Sequence, residues 1–266
     1  MLDLEFAELS DVGRVRGHNE DYSGYVLPAS ETEGRTHGWL FALADGVGGE
    51  ERGEVASQTA IETLIAGFRA APRGEAHTAL MPRLVQSANT RIYELGRAAS
   101  PGGSRMATTI VACAFRYDRV VVAHAGDSRC YLIRHGIASQ ITRDHTVVAE
   151  QVRLGLLSAR DAAEAQTRHL LSRSLGNDLF VNVEIGDRQI QVGDVLLLCC
   201  DGLHGSVEGQ EMGEIVTWNP DLKTAATKLI DLANERDGSD NITVQLIRVR
   251  GVERMGMYRG RPYKLH

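Results

Sequence analysis

The stretch ATTIVACAFRYDRVVVAHAGDSRCYLIR, residues 107–134, holds three apolar runs in 28 residues. They are Ala107–Phe115, Arg119–His124 and Arg129–Arg134, punctuated by Tyr117-Asp118 and Gly126-Asp127. Runs this short, rich in Val, Ile, Tyr and Phe, read as strands. The gaps are too short for crossover helices, so the three predict antiparallel hairpins. Outward from this centre, Phe6–Ser10, Tyr22–Leu27, Trp39–Ala44, Phe180–Asp187, Val195–Cys200 and Asn241–Val249 carry the same strand signal. Helical spacing appears after the Gly48-Gly49 turn (Val55, Ile61, Leu64, Ile65, Phe68) and from about Glu75 to Arg97. Pro82, unfavourable inside a helix, leaves the start of the second one open. Helices are also expected within Thr146–Gly176, where Ser158-Ala159-Arg160-Asp161 resembles a capping box, and at Glu208–Trp218 and Leu222–Glu235. Pro28–Gly38 and Ala99–Ser104 read as loose connections. The order predicts an α+β fold, a layered antiparallel sheet core with helices packed outside.

Three of these strands have a carboxylate at one end. Asp45-Gly46 follows Trp39–Ala44, Asp201-Gly202 follows Val195–Cys200, and Asp240-Asn241 precedes Ile242–Ile247. Carboxylates brought to one sheet edge resist ionising together unless a cation sits among them. They predict a hard-metal site built of oxygen ligands. Turn chemistry alone also accounts for each Asp-Gly or Asp-Asn taken singly. With 29 basic against 35 acidic residues, a net charge of −6, the chain has no basic excess to suggest nucleic acid or an anionic membrane as a partner. No apolar stretch approaches a membrane span, and the acidic start (Asp3, Glu5, Glu8) lacks the pattern of a signal peptide, so a cytoplasmic protein is expected. Cys113, Cys130, Cys199 and Cys200 lie in apolar runs without Cys-x-x-Cys spacing and predict buried free thiols.

Seven segments, in order, resemble the metal-dependent serine/threonine protein phosphatases of the type 2C (PPM) family. They are Arg16-Gly17-His18-Asn19-Glu20-Asp21, Ala44-Asp45-Gly46-Val47-Gly48-Gly49, Met106-Ala107-Thr108-Thr109, His124-Ala125-Gly126-Asp127-Ser128-Arg129, Thr142-Arg143-Asp144-His145-Thr146, Cys200-Asp201-Gly202-Leu203 and Gly238-Ser239-Asp240-Asn241-Ile242-Thr243. The resemblance spans about residues 6–249 and is closest to bacterial members. It implies a four-layer α-β-β-α sandwich, two packed antiparallel sheets flanked by helices. It divides the chain into a phosphatase domain, 1–250, with a flap at about 146–176, and a tail, 251–266, that carries Arg254, Arg259, Arg261 and Lys264.

The resemblance also implies two Mn²⁺ or Mg²⁺ ions, with a third as a further option. Asp45 would bridge the pair, Asp201 and Asp240 would complete one ion, and the Gly46 carbonyl would reach the other with Glu20 and Asp21 nearby. Asp127 with Asp201 matches the third-metal position of bacterial members, and Arg16 the arginine that holds the substrate phosphate. Together Arg16, Asp45, Asp201 and Asp240 form the expected catalytic set. Two cations sharing a water would acidify it for in-line attack on phosphorus, while a guanidinium fork engages two phosphate oxygens. Arg16 also has a surface-pair reading with Glu20 or Asp21, and Asp127 a plain turn reading. His18, His124, His145 and His204 invite acid–base roles, yet none shows an orienting partner in the sequence.

Three departures stand out. Val47 occupies the place of a histidine common in eukaryotic members, which leaves the general acid unassigned. Leu203-His204-Gly205-Ser206 lacks an acidic residue often found near the third metal. Ala107 replaces a glycine. The flap has mixed charge, including Glu150, Arg153, Arg160, Asp161, Arg168 and Arg173, and names no substrate. The expected partners are phosphorylated proteins and a cognate serine/threonine kinase, with the chain acting as a monomer. A phosphatase-like sensor domain and a hydrolase of small phosphate esters are the competing readings.

Overall fold

The structure, a computed structural model, describes residues 1–47, 52–99, 106–165, 167, 169–258 and 261–264. The Gly48-Gly49 turn, the loose residues 100–104, Arg168 and Arg259 lie outside them. The chain begins with β1 (Asp3–Asp11), β2 (Asp21–Val26), α1 (Glu31–Thr36) and β3 (Trp39–Asp45), followed by α2 (Gly53–Arg69) and α3 (His77–Ala98). Next come β4 (Ile110–Arg116), β5 (Arg119–Ala125), β6 (Arg129–Arg134), β7 (Ile137–Gln140), α4 (Val147–Arg153), α5 (Ala159–Glu164) and β8 (Glu184–Gln189). Then follow β9 (Val195–Cys199), α6 (Asp201–His204), α7 (Gly209–Trp218), α8 (Leu222–Arg236) and β10 (Ile242–Gly251). In the tail, β11 (Met255–Tyr258) pairs with β12 (Arg261–Lys264).

Two five-stranded antiparallel sheets form the core, in the orders β2-β3-β4-β5-β8 and β1-β10-β9-β6-β7. Helices α2 and α3 cover the first, and α7 and α8 the second. The expected sandwich is thus present. The central strands read as unbroken apolar runs because both of their faces are buried. In β3, Leu40, Ala42 and Ala44 pack towards α2 and α3, while Phe41 and Leu43 face the other sheet. In β9, Val195, Leu197 and Cys199 face α7 and α8, and Leu196 and Leu198 fill the space between the sheets. The four cysteines are buried free thiols, as expected.

One connection differs from its predicted form. β4 and β5 make the expected hairpin, but β6 pairs with β9 and β7 in the opposite sheet. Gly126–Ser128 is therefore a bridge between the layers and not a hairpin turn. Gly126 has a φ of +113°, and a Cβ there would stand 2.6 Å from Cβ of Thr109, so the crossing is tight and needs glycine. Spacing could not reveal this, because a three-residue link is as short across two packed sheets as within one.

Smaller differences have local causes. Ser30 accepts the Glu33 N–H at 3.2 Å and caps α1 inside the stretch read as loose. β7 and the single turn of α6 are too short to leave a periodic signal. β8 starts at Glu184, later than expected. Among the described residues of the insert only α4 and α5 are helical; beyond them the chain makes single bridges, Leu171 to Thr146 and Leu175 to Thr108. Ser158 accepts the Asp161 N–H at 3.1 Å and donates its hydroxyl to the Asp161 carboxylate at 2.7 Å, half of the predicted capping box. Pro82 lies within α3, which accommodates it.

Phe41 is fully buried between the sheets, its ring 5.2 Å from Phe6, 6.1 Å from Tyr25 and 5.9 Å from Phe115. Phe41→Ala is expected to cost about 3–5 kcal/mol, read as a lower urea midpoint with an unchanged denaturant slope.

Candidate active site

All three acidic turns reach the same edge of the sandwich. Asp45 ends β3, opposite Asp21 of β2 in the ladder. Its backbone is held by two threonines: Thr109 Oγ1 accepts the Asp45 N–H at 3.0 Å, and the Thr108 hydroxyl donates to the Asp45 carbonyl at 2.7 Å. Gly46 donates its N–H to the Glu20 carbonyl at 3.1 Å. Asp201 opens α6 directly after β9. Gly202 lies so close to the Asn241 carbonyl that a Cβ would come within 2.0 Å of it, which excludes any side chain. Asp240 stands two residues before β10, separated from it by Asn241.

Asn241 joins these pieces. Its Oδ1 accepts the Glu20 N–H at 2.8 Å, and its Nδ2 donates to the carbonyls of Val12 at 2.9 Å and His18 at 3.0 Å. The loop between β1 and β2, which carries Arg16, Glu20 and Asp21, is thereby tied to the start of β10. In the sequence, Asn241 stands only as part of an acidic turn, a strand start and a family motif, with no role of its own. An amide beside an acidic turn was the available signal, but its partners are more than 200 residues away.

The carboxylates crowd one another. Ligand atoms of Asp21, Asp45 and Cys200 lie within 4.8 Å of each other, and Asp45 and Asp201 line the same cleft. Desolvation, then Asp201 and the neighbouring carboxylates, holds the Asp45 carboxyl well above its ordinary range. Asp21 is pushed up to about 7, mainly by burial, against the Thr243 hydroxyl that donates to its Oδ2 at 2.7 Å. Asp127 also rises to about 7, through burial and then Asp201, and Asp201 is raised by burial and by Asp240. Acidic groups that cannot all ionise around one cleft are the donor set a divalent cation supplies with charge.

Asp45, Gly46, Asp127, Asp201, Asp240 and Arg16 all line a cleft of about 620 Å³. Asp21 sits behind Asp45, 8% exposed. Glu20 is held beside His18, whose Nε2 is 3.2 Å from Glu20 Oε1. Arg16 donates from Nη2 to Asp240 Oδ2 at 2.8 Å, with both side chains partly open to solvent. The surface-pair reading of Arg16 had the wrong partner: the guanidinium pairs with an aspartate of the cluster and not with Glu20 or Asp21.

The histidines divide. His204 donates from Nε2 to the Asp127 carbonyl at 3.0 Å, and burial pushes its pKa down to about 3, so it braces the inter-sheet crossing as a neutral ring. His124 and His145 stack with ring centroids 4.7 Å apart, away from the cleft. His169, on the flap, was not singled out from the sequence; it lines the cleft, with Nδ1 4.0 Å from Asp201 Oδ2. Two quoted motifs prove to be one clamp. Asp144 accepts from Arg129 at 2.9 and 2.6 Å, Thr142 Oγ1 accepts the Cys130 N–H at 3.0 Å, and His145 bonds both backbone groups of Gly126.

A family model described as protein phosphatase 2C matches residues 19–245. The serine/threonine phosphatase stp of Listeria innocua serovar 6a is 35% identical over 255 residues, covering 95% of this chain and 96% of its own. Among solved structures, the serine/threonine phosphatase PstP/Ppp of Mycobacterium tuberculosis superposes with a TM-score of 0.81 at 33% identity, over 94% of this chain and 100% of that one. The catalytic domain of the serine threonine protein phosphatase PstP in complex with two manganese ions gives a TM-score of 0.79 at 34% identity, over 94% and 100%. With the motifs in order, the aspartates gathered at one sheet edge and these likenesses in sequence and fold, the chain belongs to the protein phosphatase 2C family.

Proposed function

We propose that this chain is a metal-dependent phosphatase that hydrolyses phosphoserine and phosphothreonine in proteins, acting in the cytoplasm as a monomer against a serine/threonine kinase. Residues 1–250 form its phosphatase domain, with 146–176 as the flap and 251–266 as the tail. The observation that carries this reading is the meeting of Asp45, Asp201 and Asp240 in one cleft with Arg16.

Asp45, Asp201, Asp240 and the Gly46 carbonyl would hold the two Mn²⁺ or Mg²⁺ ions, with Glu20 and Asp21 behind them and Asp127 beside Asp201 for a third. When bound, such ions offset charge on the phosphoryl oxygens and lower the pKa of water. The protein's own part is to place charge and shape. Arg16 binds and orients the substrate phosphate, its fork matched to two oxygens. Its resting partner is Asp240, so the guanidinium is already drawn to the cleft before substrate arrives. Thr108 and Thr109 fix the backbone that carries Asp45, and Asn241, next to Asp240, is anchored through its side chain, so little reorganisation is needed as charge develops. Turnover of a small aryl phosphate and then of a phosphothreonine peptide with Mn²⁺ tests the function. Folded, metal-loaded protein that turns over neither refutes it, and a preference for small metabolites over the peptide favours a small-ester hydrolase.

Asp45→Ala and Asp240→Ala should each reduce turnover to background with the circular dichroism of the fold intact. Each should also diminish the rise in melting temperature that Mn²⁺ produces; a variant with near-normal activity removes that residue from the ligand set. Arg16→Ala should lower kcat/KM by about 10²–10³-fold, and Arg16→Lys should not restore it, because a point charge lacks the fork.

The pH dependence follows from Asp21. Its folded pKa of about 7 exceeds the ordinary 3.8, so between these values the folded protein binds more protons than the unfolded chain. Metal-free protein therefore loses stability as pH rises through this window. Without metal, the melting temperature of the wild type relative to Asp21→Asn should fall between about pH 4 and about pH 7 and level off above that. A constant difference across that range contradicts the assignment.

A further inference from the structure

The flap segment borders two clefts. Leu170, Leu171 and Ser174 line the one that holds the aspartates, whereas Arg173 lines a separate cleft of about 870 Å³. The walls of this second cleft carry Arg143, Arg153, Arg173 and His145 together with three carboxylates. Two of the carboxylates are committed. Asp144 accepts both arms of Arg129, and Glu150 accepts from Arg153 at 2.8 Å. Of the remaining groups, Glu184 accepts from Arg143 at 2.9 Å and Arg173 donates from Nη1 to the Asn182 carbonyl at 3.2 Å. With Asp144 taken by Arg129 from outside the cleft, the Arg173 guanidinium is left without a carboxylate of its own among the described residues.

Hydrogen-bond bookkeeping at His145 points the same way. The side chain is 5% exposed. Its Nδ1 accepts the Gly126 N–H at 3.1 Å, which places the proton of the neutral ring on Nε2. Burial, then His124 and Arg173, keeps the ring neutral, with its pKa pushed down to about 4. Nε2–H therefore stands 3.0 Å from Nη1 of Arg173, donor against donor. The nearby Glu184 Oε2 is 3.4 Å from Nε2, a long distance for a hydrogen bond. Nη1 also donates to the Asn182 carbonyl at 3.2 Å, so the group still short of a good acceptor is the His145 Nε2–H, and an oxygen bound between it and the guanidinium would satisfy both. His124, His145 and Glu184 lie close enough together to hold a cation, but the guanidinium 3.0 Å from Nε2 opposes one and favours an anion.

We propose that this cleft is a second oxyanion site, which binds a phosphate group through the guanidinium groups of Arg173 and Arg143 and the Nε2–H of His145. A planar fork beside a fixed ring N–H suits a tetrahedral anion with several acceptor oxygens. Occupancy bears on the aspartate cleft through short paths. His145 donates its backbone N–H to the Gly126 carbonyl at 3.0 Å, one residue from Asp127, and accepts from Ser172 N–H at 2.8 Å on the flap. Phosphate can arrive as the free ion or on a second phosphorylated residue of a protein, and the chemistry of the site is common to both.

The test uses the full chain without metal, so that neither turnover nor the assignment of the aspartates enters. Protein labelled with ¹⁵N-histidine is titrated with inorganic phosphate and, separately, with a phosphothreonine peptide, following the His145 ring resonances. A saturable shift, about ten-fold weaker in Arg173→Gln, supports the site. Saturation by inorganic phosphate identifies the free ion as a sufficient ligand, and saturation by the peptide alone identifies a protein-borne group. If Arg173→Gln does not fold, Arg143→Gln serves, since that side chain is 71% exposed. No shift with either ligand, a shift unchanged in the variant, or saturation by Zn²⁺ in place of phosphate overturns the proposal.

Discussion

Carboxylates that are drawn together and partly removed from water repel one another, and this repulsion organises the protein around its cleft. Asp21 and Asp45 come from adjacent strands of one sheet, Asp201 and Asp240 from the ends of adjacent strands of the other, and Asp127 from the link between the two. No lysine lines the cleft among the described residues, and Arg16 is paired with only one of the acids. A fold that tolerates this arrangement without a cation does so by keeping protons on some of the carboxyls, which is why those of Asp21, Asp45, Asp127 and Asp201 are all raised. The charge deficit is the property that suits the site to divalent ions.

Holding that arrangement requires a rigid surround, and most of it is backbone. Thr108 and Thr109 fasten the end of β3, Asn241 ties the loop bearing Arg16 to the start of β10, and Gly202 lets α6 lie against the Asn241 carbonyl. Three packed layers of apolar side chains stand behind these contacts: one between the sheets and one beneath each helical pair. The carboxylates therefore sit on strand ends whose positions are set by cores that polar chemistry does not disturb.

The crossing at Gly126–Ser128 links this centre to the flap. Its left-handed glycine, the His204 bond to Asp127 and the two His145 bonds to Gly126 act within it, and the Arg129–Asp144 pair holds the residue that follows. The same His145 faces the second cleft with Arg173. One short segment thus stands between the aspartates and a cluster of donors, and two clefts share a wall.

The apolar runs, their short spacings and the acidic turns were legible residue by residue, because strand burial and turn chemistry are local and leave periodic marks. A layered antiparallel core with helices outside it and aspartates at strand ends follows from them, and the ordered motifs pointed to the family and, through it, to the two-sheet sandwich. Tertiary structure alone decided that β6 leaves the sheet of β4 and β5, since a three-residue link spans two layers as readily as a hairpin. It alone decided that Arg16 pairs with Asp240, that Asn241 gathers three distant backbone groups, and that His145 meets Arg173 over a cleft. Each of these joins residues that only packing brings together, and the strength of a hydrogen bond or an ion pair depends on distance and burial, which the order of residues does not contain.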